Sequence, residues 1–303
     1  MSTAFPQIRV GDPIRVDRLS IFPLFADPLP SVDYILGAEA LADGRVVVEE
    51  VSESGSVPKL SVTNNTAFLV LFLEGEQLIG AKQNRILNSS ILVAANSKST
   101  IPVSCVEQGR WRFASKRFGS SDTYSPSRLR LALKASVSDS VQGGRGHSSD
   151  QSRVWAEVSR SQAAHQVSSE TMAMEDTFDS QRGKLAELRQ QFQYVEGAYG
   201  VAVAIGKQVV ALDLFDKPAT CQRVWDRLLS GCLLDSLVSE ATEGPAEVRD
   251  VDALLSDLGA TAWQSAAAAG EGEEFRTATA RGAQASALCY SGRFVHGSAV
   301  AAV

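Results

Sequence analysis

Between Arg15 and Phe113 the chain consists of short apolar runs separated by turn residues, and this spacing strongly constrains the fold. An Asp-Gly pair and, further on, an Asn-Asn pair supply residues that favour tight turns. Short strands at such intervals are typical of an all-β sandwich or roll, and not of alternating strands and helices. We therefore expect residues 1–125 to form a β-rich lobe, an antiparallel β-sandwich or roll.

The pattern changes in the middle and last thirds of the chain. The segment PSRLRLALKASVSDSV has helical spacing, a glycine-rich break QGGRGHSSD follows, and Ser149 or Asp150 can cap a second helix. We interpret residues 126–197 as a helical segment with loops. Residues 198–303 predict an α+β lobe with a β-hairpin, a helix that opens at Pro218 and a final antiparallel meander. The predicted fold class is α+β.

Composition and charge exclude several classes of function. The 303 residues include 35 acidic and 29 basic side chains, for a net charge of −6. This is the wrong sign for a protein held to nucleic acid mainly by phosphate contacts, so nucleic acid is not an expected partner. We find neither an apolar run of membrane-spanning length nor a secretory signal, and we expect a soluble cytoplasmic protein. The sequence gives no signal for an oligomeric state.

Cysteines and histidines give no support for a metal centre. The four cysteines form no CxxC pair and lie in unrelated segments, which argues against a zinc site or a disulfide scaffold. Three histidines are too few for a histidine-rich site. Glu74, Glu76 and Glu107 could hold Mg²⁺ or Ca²⁺ through oxygen ligands, but the sequence predicts neither a metal site nor a cofactor.

A dense group of long polar side chains interrupts two of the predicted strands. The stretches LIGAKQNRILNSS and IPVSCVEQGRW lie among apolar runs such as FLVLFLEG and ILVAA. A strand interior normally carries apolar residues, so we favour a buried polar network or a binding site over a solvent-exposed edge strand. The candidate ligand-binding residues are Lys82, Gln83, Asn84, Arg85, Asn88, Arg110 and Trp111.

Glu107 is the candidate general acid or base, because the pKa of a carboxylate near a strand end in a partly apolar setting is open to tuning. An ion pair with Arg85 or Arg110 is the role we favour for it. Cys105 has no histidine nearby in the sequence, and we expect it to be a small buried hydrophobic residue. Whether the protein is an enzyme is left open.

The same stretches resemble a known family. LEGEQLIGAKQNRILNSSILV, IPVSCVEQGRW and VAIGKQVVALDLFDKPATCQRVWDRLL are similar to the ARG and rhodanese-phosphatase-superfamily-associated protein domain, and the resemblance extends from about Leu19 to the C-terminus. That family is named for its association with ADP-ribosylglycohydrolases and rhodanese-like phosphatases. The resemblance brings no assigned catalytic residue. It implies binding or processing of an ADP-ribose-type nucleotide or a related phosphorylated ligand.

Three hypotheses follow. In a nucleotide site, Lys82, Arg85 and Arg110 would contact phosphate, and the three amide side chains would contact ribose or base. In a non-catalytic partner-binding or scaffold protein, the same residues would form a buried structural network. Metal-assisted hydrolysis by clustered carboxylates would predict stabilisation by Mg²⁺ or Mn²⁺.

Overall fold

Three β-sheets and the helices that pack on them form the computed structural model, which describes residues 5–239 and 244–302. The helices are α1 (Gly37–Ala42), α2 (Ser127–Gln142), α3 (Gln151–Ala164), α4 (Met174–Ser180), α5 (Arg182–Gln191), α6 (Pro218–Ser236) and α7 (Val248–Ala260). The strands are β1 (Arg9–Val10), β2 (Ile14–Val16), β3 (Leu19–Phe25), β4 (Tyr34–Leu36), β5 (Val46–Glu50), β6 (Lys59–Asn64), β7 (Leu69–Phe72), β8 (Glu76–Gly80), β9 (Arg85–Leu87), β10 (Ile91–Val93), β11 (Ser97–Cys105), β12 (Phe118–Tyr124), β13 (Gly200–Ile205), β14 (Gln208–Phe215), β15 (Gln264–Ala267), β16 (Glu273–Ala278), β17 (Gln284–Tyr290) and β18 (Arg293–Val300). The predicted α+β class and the strand-rich N-terminal region are confirmed.

The largest sheet joins the two ends of the chain. Its strand order is β1-β3-β13-β14-β18-β17-β16-β15, with β2 also paired to β3, and all these pairs are antiparallel. Strand β3 pairs with β13 from Leu19 opposite Ile205 to Leu24 opposite Gly200. The first long strand of the chain is therefore part of the same sheet as the C-terminal meander.

Two smaller sheets contain the remaining strands, and most of the predicted site lies at strand ends of the larger of these two. One has the order β12-β8-β9-β11-β6-β5 and is antiparallel. The other has the order β10-β7-β4, with β4 parallel to β7 and β10 antiparallel to it. Strand β9 lies between β8 and β11, which places the turn before β9 next to the end of β11.

Several local signals in the sequence produce the elements expected from them. Asp150 caps α3, because its side chain accepts hydrogen bonds from the backbone N–H groups of Ser152 and Arg153. Strands β13 and β14 form the predicted hairpin, and Gly206 adopts a φ of 59° in its turn. Pro218 occupies the first position of α6, where a backbone N–H has no partner within the helix.

Helix α2 packs against the large sheet at β17 and β18 and also contacts α3 and α6. Leu129, Leu133 and Val137 are buried and belong to the largest apolar core, on one face of the helix. Burial of each such side chain contributes about 1.5–3 kcal/mol, as an upper bound. Within the described residues, none of the helices is both long and apolar enough to cross a bilayer.

Candidate functional site

The predicted polar side chains lie at strand ends, and not within the strands. Lys82, Gln83 and Asn84 occupy the turn between β8 and β9, because the chain leaves β8 at Gly80 and Ala81 with positive φ angles of 112° and 41°. This left-handed region ends the extended backbone. The residues from Glu107 to Trp111 likewise follow the end of β11. We name the group the strand-end centre; its members are Glu50, Lys82, Gln83, Asn84, Arg85, Cys105, Glu107, Arg110 and Trp111.

Glu107 and Arg110 form a two-pronged ion pair. Arg110 donates from Nε to Glu107 Oε1 at 2.8 Å and from Nη2 to Oε2 at 2.6 Å. The backbone N–H of Asn84 also donates to Oε2, at 3.0 Å. Burial raises the pKa of Glu107, but the bonds from Arg110 and Asn84 outweigh it, so the pKa lies below its usual value. The ion pair favoured from the sequence is therefore present, and both oxygens of the Glu107 carboxylate accept hydrogen bonds.

Arg110 also donates hydrogen bonds to the backbone of the turns around it. Its guanidinium donates to the carbonyl oxygens of Ala81 at 2.6 Å, of Arg112 at 3.1 Å and of Gly80 at 3.2 Å. A further bond of 3.2 Å reaches Asn84 Oδ1, which accepts from the Gly80 N–H as well. Arg110 and Asn84 thus hold the backbone of this half of the strand-end centre.

Arg85 is fully buried and incompletely hydrogen-bonded. Its Nη1 donates to the backbone oxygen of Gln83 at 3.2 Å and to Gln83 Oε1 at 3.1 Å, and its Nη2 lies 3.7 Å from Glu50 Oε1. Within the described residues, Arg85 Nε and Nη2 and both Glu50 carboxylate oxygens lack a hydrogen-bond partner. Burial lowers the pKa of Arg85. Buried charged groups with missing hydrogen bonds are costly, and they are common at sites that bind water or a ligand.

Cys105 is a protonated thiol that shares a hydrogen-bond acceptor, Gln83 Oε1, with Arg85. It is buried, its Sγ donates to Gln83 Oε1 at 2.7 Å, and burial raises its pKa to about 11. A thiol with a raised pKa is a poor nucleophile. The role expected from the sequence, a small buried side chain, agrees with this environment.

The outer part of the strand-end centre is aromatic. Lys82 Nζ lies 5.4 Å from the centroid of the Trp111 ring and 5.0 Å from that of Phe113, and Arg85 Cζ lies 5.7 Å from the Trp111 centroid. Both rings are about half exposed, at 47% for Trp111 and 52% for Phe113. Gly55 approaches Lys82 and Trp111 so closely that an added Cβ would lie 3.3 Å from each. Two cations thus contact an indole that also faces solvent.

Asn88 is not brought into the strand-end centre. Its Nδ2 donates to the carbonyl oxygen of His147 at 2.9 Å, and its Oδ1 accepts from Ser104 Oγ at 2.6 Å. It therefore contacts the glycine-rich loop between α2 and α3. Through that loop it borders a second polar centre.

The second centre lies between α2 and the large sheet. Asp213, Ser298, Ser286 and Arg276 are directly opposite one another on the adjacent strands β14, β18, β17 and β16. Arg130, Lys134 and Ser138 form one stripe of α2, at a spacing of four residues. We name the buried group the helix–sheet centre; its members are Glu74, Ser90, Arg130, Lys134, Ser138, Asp213, Glu274, Arg276, Ser286, His296 and Ser298.

Its charges form three buried pairs. Arg130 donates to both carboxylate oxygens of Asp213, at 2.8 and 2.6 Å, and Arg276 donates to both of Glu274, at 2.9 and 2.8 Å. Lys134 Nζ donates to Glu74 Oε2 at 2.5 Å, and the remaining bonds of its ammonium go to the hydroxyls of Ser286 at 2.7 Å and Ser298 at 3.0 Å.

Burial and pairing shift the pKa values of these groups strongly. Burial lowers the pKa of Lys134 to about 8, against the opposing effect of Glu74. Burial would raise the pKa of Glu274, but Arg276 and His147, which lies 2.6 Å away, hold it at about 2. Within the described residues, Glu74 Oε1, Arg130 Nε and His296 Nε2 have no hydrogen-bond partner.

Sequence reasoning missed the helix–sheet centre, although its signal was present. The strands VHGSAV and QASALCY place polar residues at alternate positions of a face that is otherwise apolar, and the α2 segment repeats polar residues every fourth position. Either pattern alone is typical of a solvated face. Only the packing of one against the other makes them a buried centre.

Neither centre contributes a residue to the lining of a large cavity elsewhere in the described residues. A cavity of about 910 Å³ lies near α2, α3 and α7, where Asp235 accepts hydrogen bonds from the backbone N–H and the hydroxyl of Ser127 at 2.7 and 2.6 Å. Burial raises the pKa of Asp235 to about 6. Within residues 5–239 and 244–302, no three His, Cys, Asp or Glu side chains are placed to share a metal ion.

The fold and the two centres define an α+β protein in which polar groups occupy positions that strands and helices usually give to apolar residues. The chain matches the sequence model of the ARG and Rhodanese-Phosphatase-superfamily-associated Protein domain over residues 7–300, and it belongs to that family. The family predicted from the sequence is confirmed. Comparison with curated proteins gave no match. Comparison with solved structures also gave none.

Proposed function

We propose that the strand-end centre binds an ADP-ribose-type nucleotide or a related phosphorylated ligand. The observation that carries this proposal is the pair of cations, Lys82 and Arg85, against the half-exposed ring of Trp111. A planar base can stack on an exposed indole, and a phosphate can bind a neighbouring ammonium group. The family name adds an association with ADP-ribosylglycohydrolases.

The balance of charge in the strand-end centre favours an anion. Three cations, Lys82, Arg85 and Arg110, face two carboxylates, Glu50 and Glu107, which leaves one positive charge in excess. Arg110 is already bonded to Glu107, so phosphate contact falls to Lys82, which is 8% exposed. Arg85 lies against the indole of Trp111, and its positive charge adds to the electrostatic attraction for an anion.

The amide side chains have supporting roles in this proposal. Gln83 Oε1 accepts from both Arg85 and Cys105, and its Nε2 donates to the Gln108 carbonyl oxygen at 3.3 Å. Asn84 is bonded to Gly80 and Arg110. These amides fix the turn that presents Lys82, so the ligand is expected to contact the lysine and the aromatic rings first.

Isothermal titration calorimetry tests the proposal with ADP-ribose, NAD, AMP and inorganic phosphate as separate ligands. We expect binding of at least one nucleotide, and at least a tenfold loss of affinity in Lys82→Met and in Trp111→Ala. Phe68→Ala is the matched control, because Phe68 is 48% exposed and lies outside the strand-end centre. No heat with any nucleotide, or an equal affinity in all three variants, contradicts the proposal.

The Glu107 half of the strand-end centre favours the second candidate, a non-catalytic partner-binding or scaffold protein. Glu107, Arg110 and Asn84 bond to one another, and Arg110 also donates to three backbone carbonyl oxygens. If the whole centre is structural, Arg110→Ala loses stability and the wild-type protein binds none of the four ligands. A normal melting temperature in Arg110→Ala counts against this candidate.

A further inference from the structure

A serine, a histidine and an aspartate meet within the helix–sheet centre. Ser90 Oγ lies 2.8 Å from His296 Nδ1, and His296 Nε2 lies 3.4 Å from Asp213 Oδ1. We propose that this group is a covered catalytic site for ester hydrolysis, with Ser90 as nucleophile, His296 as general base and Asp213 as the carboxylate that orients the imidazole. These residues are separate from the strand-end centre, so this proposal is independent of nucleotide binding there.

The surroundings hold the imidazole of His296 between the serine and the aspartate. Arg130 holds Asp213 through two bonds, and although burial alone would raise the pKa of Asp213, Arg130 and His296 keep it below its usual value. A charged carboxylate beside Nε2 favours the proton on that nitrogen, which leaves Nδ1 free to accept the Ser90 proton. The imidazole also stacks on Phe215, with 4.9 Å between ring centroids. Compared with the serine proteases, the two ring nitrogens exchange roles.

The nucleophile is held and polarised by neighbouring groups. Ser90 Oγ accepts a hydrogen bond of 3.0 Å from the backbone N–H of Glu74, whose side chain accepts from Lys134. The ammonium of Lys134 therefore lies in the same cluster and can stabilise negative charge that develops there. A network with a purely structural role satisfies its buried polar atoms, yet Glu74 Oε1 lacks a hydrogen-bond partner within the described residues, and the contact of His296 Nε2 with Asp213 Oδ1 is a long one of 3.4 Å.

A glycine-rich loop, residues 143–149, lies beside the serine-bearing segment. His147 Nε2 contacts Glu274 Oε2 at 2.6 Å, Asn88 donates to the His147 carbonyl oxygen, and Ser149 bonds to Ser104. Gly144 and Gly146 have positive φ angles of 69° and 68°, and an added Cβ at either position would meet no atom within 4 Å. Gly144 and Gly146 supply backbone freedom for a hinge, so loss of the His147 bonds is expected to loosen the loop where it contacts Asn88, two residues before Ser90.

The proposed reaction uses water as its only co-reactant. Ser90 Oγ attacks the acyl carbon of an ester, and the hydroxyl proton passes to His296 Nδ1. The ester C–O bond breaks, and the alcohol leaves with that proton. Water then attacks the acyl-serine and gives one proton to His296, which returns it to Ser90 Oγ as the carboxylic acid leaves.

A fluorophosphonate probe tests the site in the full chain. Ser90 Oγ would attack phosphorus, fluoride would leave, and the proton would pass to His296, which gives a stable adduct. We expect intact-mass and peptide mass spectrometry to place the adduct on Ser90. The adduct should be lost in Ser90→Ala and should form at least a hundredfold more slowly in His296→Gln. Ser136→Ala is the control, because Ser136 is a buried serine whose hydroxyl donates to the Leu133 carbonyl outside the centre.

A variant of the glycine-rich loop, His147→Ala, tests the proposal when the covered site of the wild type reacts too slowly to detect. His147→Ala should form the Ser90 adduct several-fold faster than the wild type, with circular dichroism and a melting curve to show that each variant is folded. An adduct in His147→Ala alone also supports a covered nucleophile. The proposal is overturned if Ser90 stays unmodified in both proteins, or if Ser90→Ala or His296→Gln reacts as fast as the wild type.

Discussion

The strand-end centre and the helix–sheet centre pair their charges in different environments. In the strand-end centre, the Glu107 and Arg110 side chains are 5% and 11% exposed, and Trp111 and Phe113 open the group to solvent. In the helix–sheet centre, the side chains of all three ion pairs are at most 3% exposed. Charges without access to water depend entirely on their partners, because no solvent can replace a lost bond.

This difference predicts how each centre responds to substitution. Loss of one partner in the helix–sheet centre leaves a buried charge unpaired, which costs several kilocalories per mole. Loss of a group at the aromatic edge of the strand-end centre exposes a cation to water at little cost. We therefore expect substitutions in the helix–sheet centre to cost more stability than substitutions in the strand-end centre.

The largest effect is expected for Arg130→Met. Asp213 would lose both guanidinium bonds and remain buried, so the free energy of unfolding should fall by about 3–5 kcal/mol. Urea denaturation of the variant measures this loss. The double variant Arg130→Met with Asp213→Leu removes both charges and should regain most of the stability. A loss below about 1 kcal/mol, the value of an exposed pair, would contradict the comparison.

A smaller effect is expected for Arg110→Ala. The variant loses bonds to Glu107 and to three backbone carbonyls, but this ion pair is less buried than those of the helix–sheet centre, so we expect a loss of about 2–3 kcal/mol in the free energy of unfolding. Arg112→Ala is the matched control, because its side chain is exposed, and it should stay within about 0.5 kcal/mol of the wild type. Equal losses in Arg110→Ala and Arg130→Met would remove the distinction between the two centres.

The strand-end centre could be found from sequence because its chemistry is local. Lys82 to Arg85 and Glu107 to Trp111 are two continuous polar stretches of the sequence, and the pairing of β9 with β11 places them side by side. Its inner partner, Glu50, was not predicted, since β5 reaches this region only through the order of the sheet. The turn at Gly80 and Ala81 was also missed, because a positive φ at alanine has no sequence signal.

In the fold, too, local features could be predicted from the sequence and long-range contacts could not. The Asp150 cap, the hairpin turn at Gly206 and the start of α6 at Pro218 each depend on residues next to one another in the chain. Strands β3 and β13 are far apart in the sequence, and no local pattern predicts that they pair. The helix–sheet centre was missed for the same reason, because it exists only once α2 packs on the large sheet.

Acid should affect the two centres unequally. The pKa of Glu274 is about 2 in the folded protein against an ordinary 4.5, so the unfolded chain takes up a proton first as the pH falls below about 4.5. The stability that Glu274 contributes is present above that pH and is lost as the pH falls towards about 2, by about 1.4 kcal/mol per pH unit. We expect Glu274→Gln to flatten the dependence of the unfolding free energy on pH in this window.

The matched variant for this experiment is Glu107→Gln. Arg110 also holds the pKa of Glu107 below its usual value, but this ion pair is less buried, with 11% of the Arg110 side chain exposed, so removal of Glu107 should flatten the curve less. Urea denaturation at several values between about pH 5 and about pH 3 compares the two variants. If Glu107→Gln flattens the pH dependence of the unfolding free energy more than Glu274→Gln does, the strand-end centre is the more acid-sensitive one, and our expectation is wrong.

The smallest effect on stability is expected for Trp111→Ala. The indole is about half exposed, and its contacts with Lys82 and Arg85 are cation–π contacts, worth about 0.5–1 kcal/mol at an exposed site. The melting temperature should therefore fall only slightly, as in Phe68→Ala, while any affinity for nucleotides is lost. A loss of 3 kcal/mol or more, in the range of a buried Trp→Ala change, would mean that the indole is part of the packed core. In that case Arg85 and Lys82 would need the ring for folding, and the strand-end centre would be a structural network like its buried counterpart.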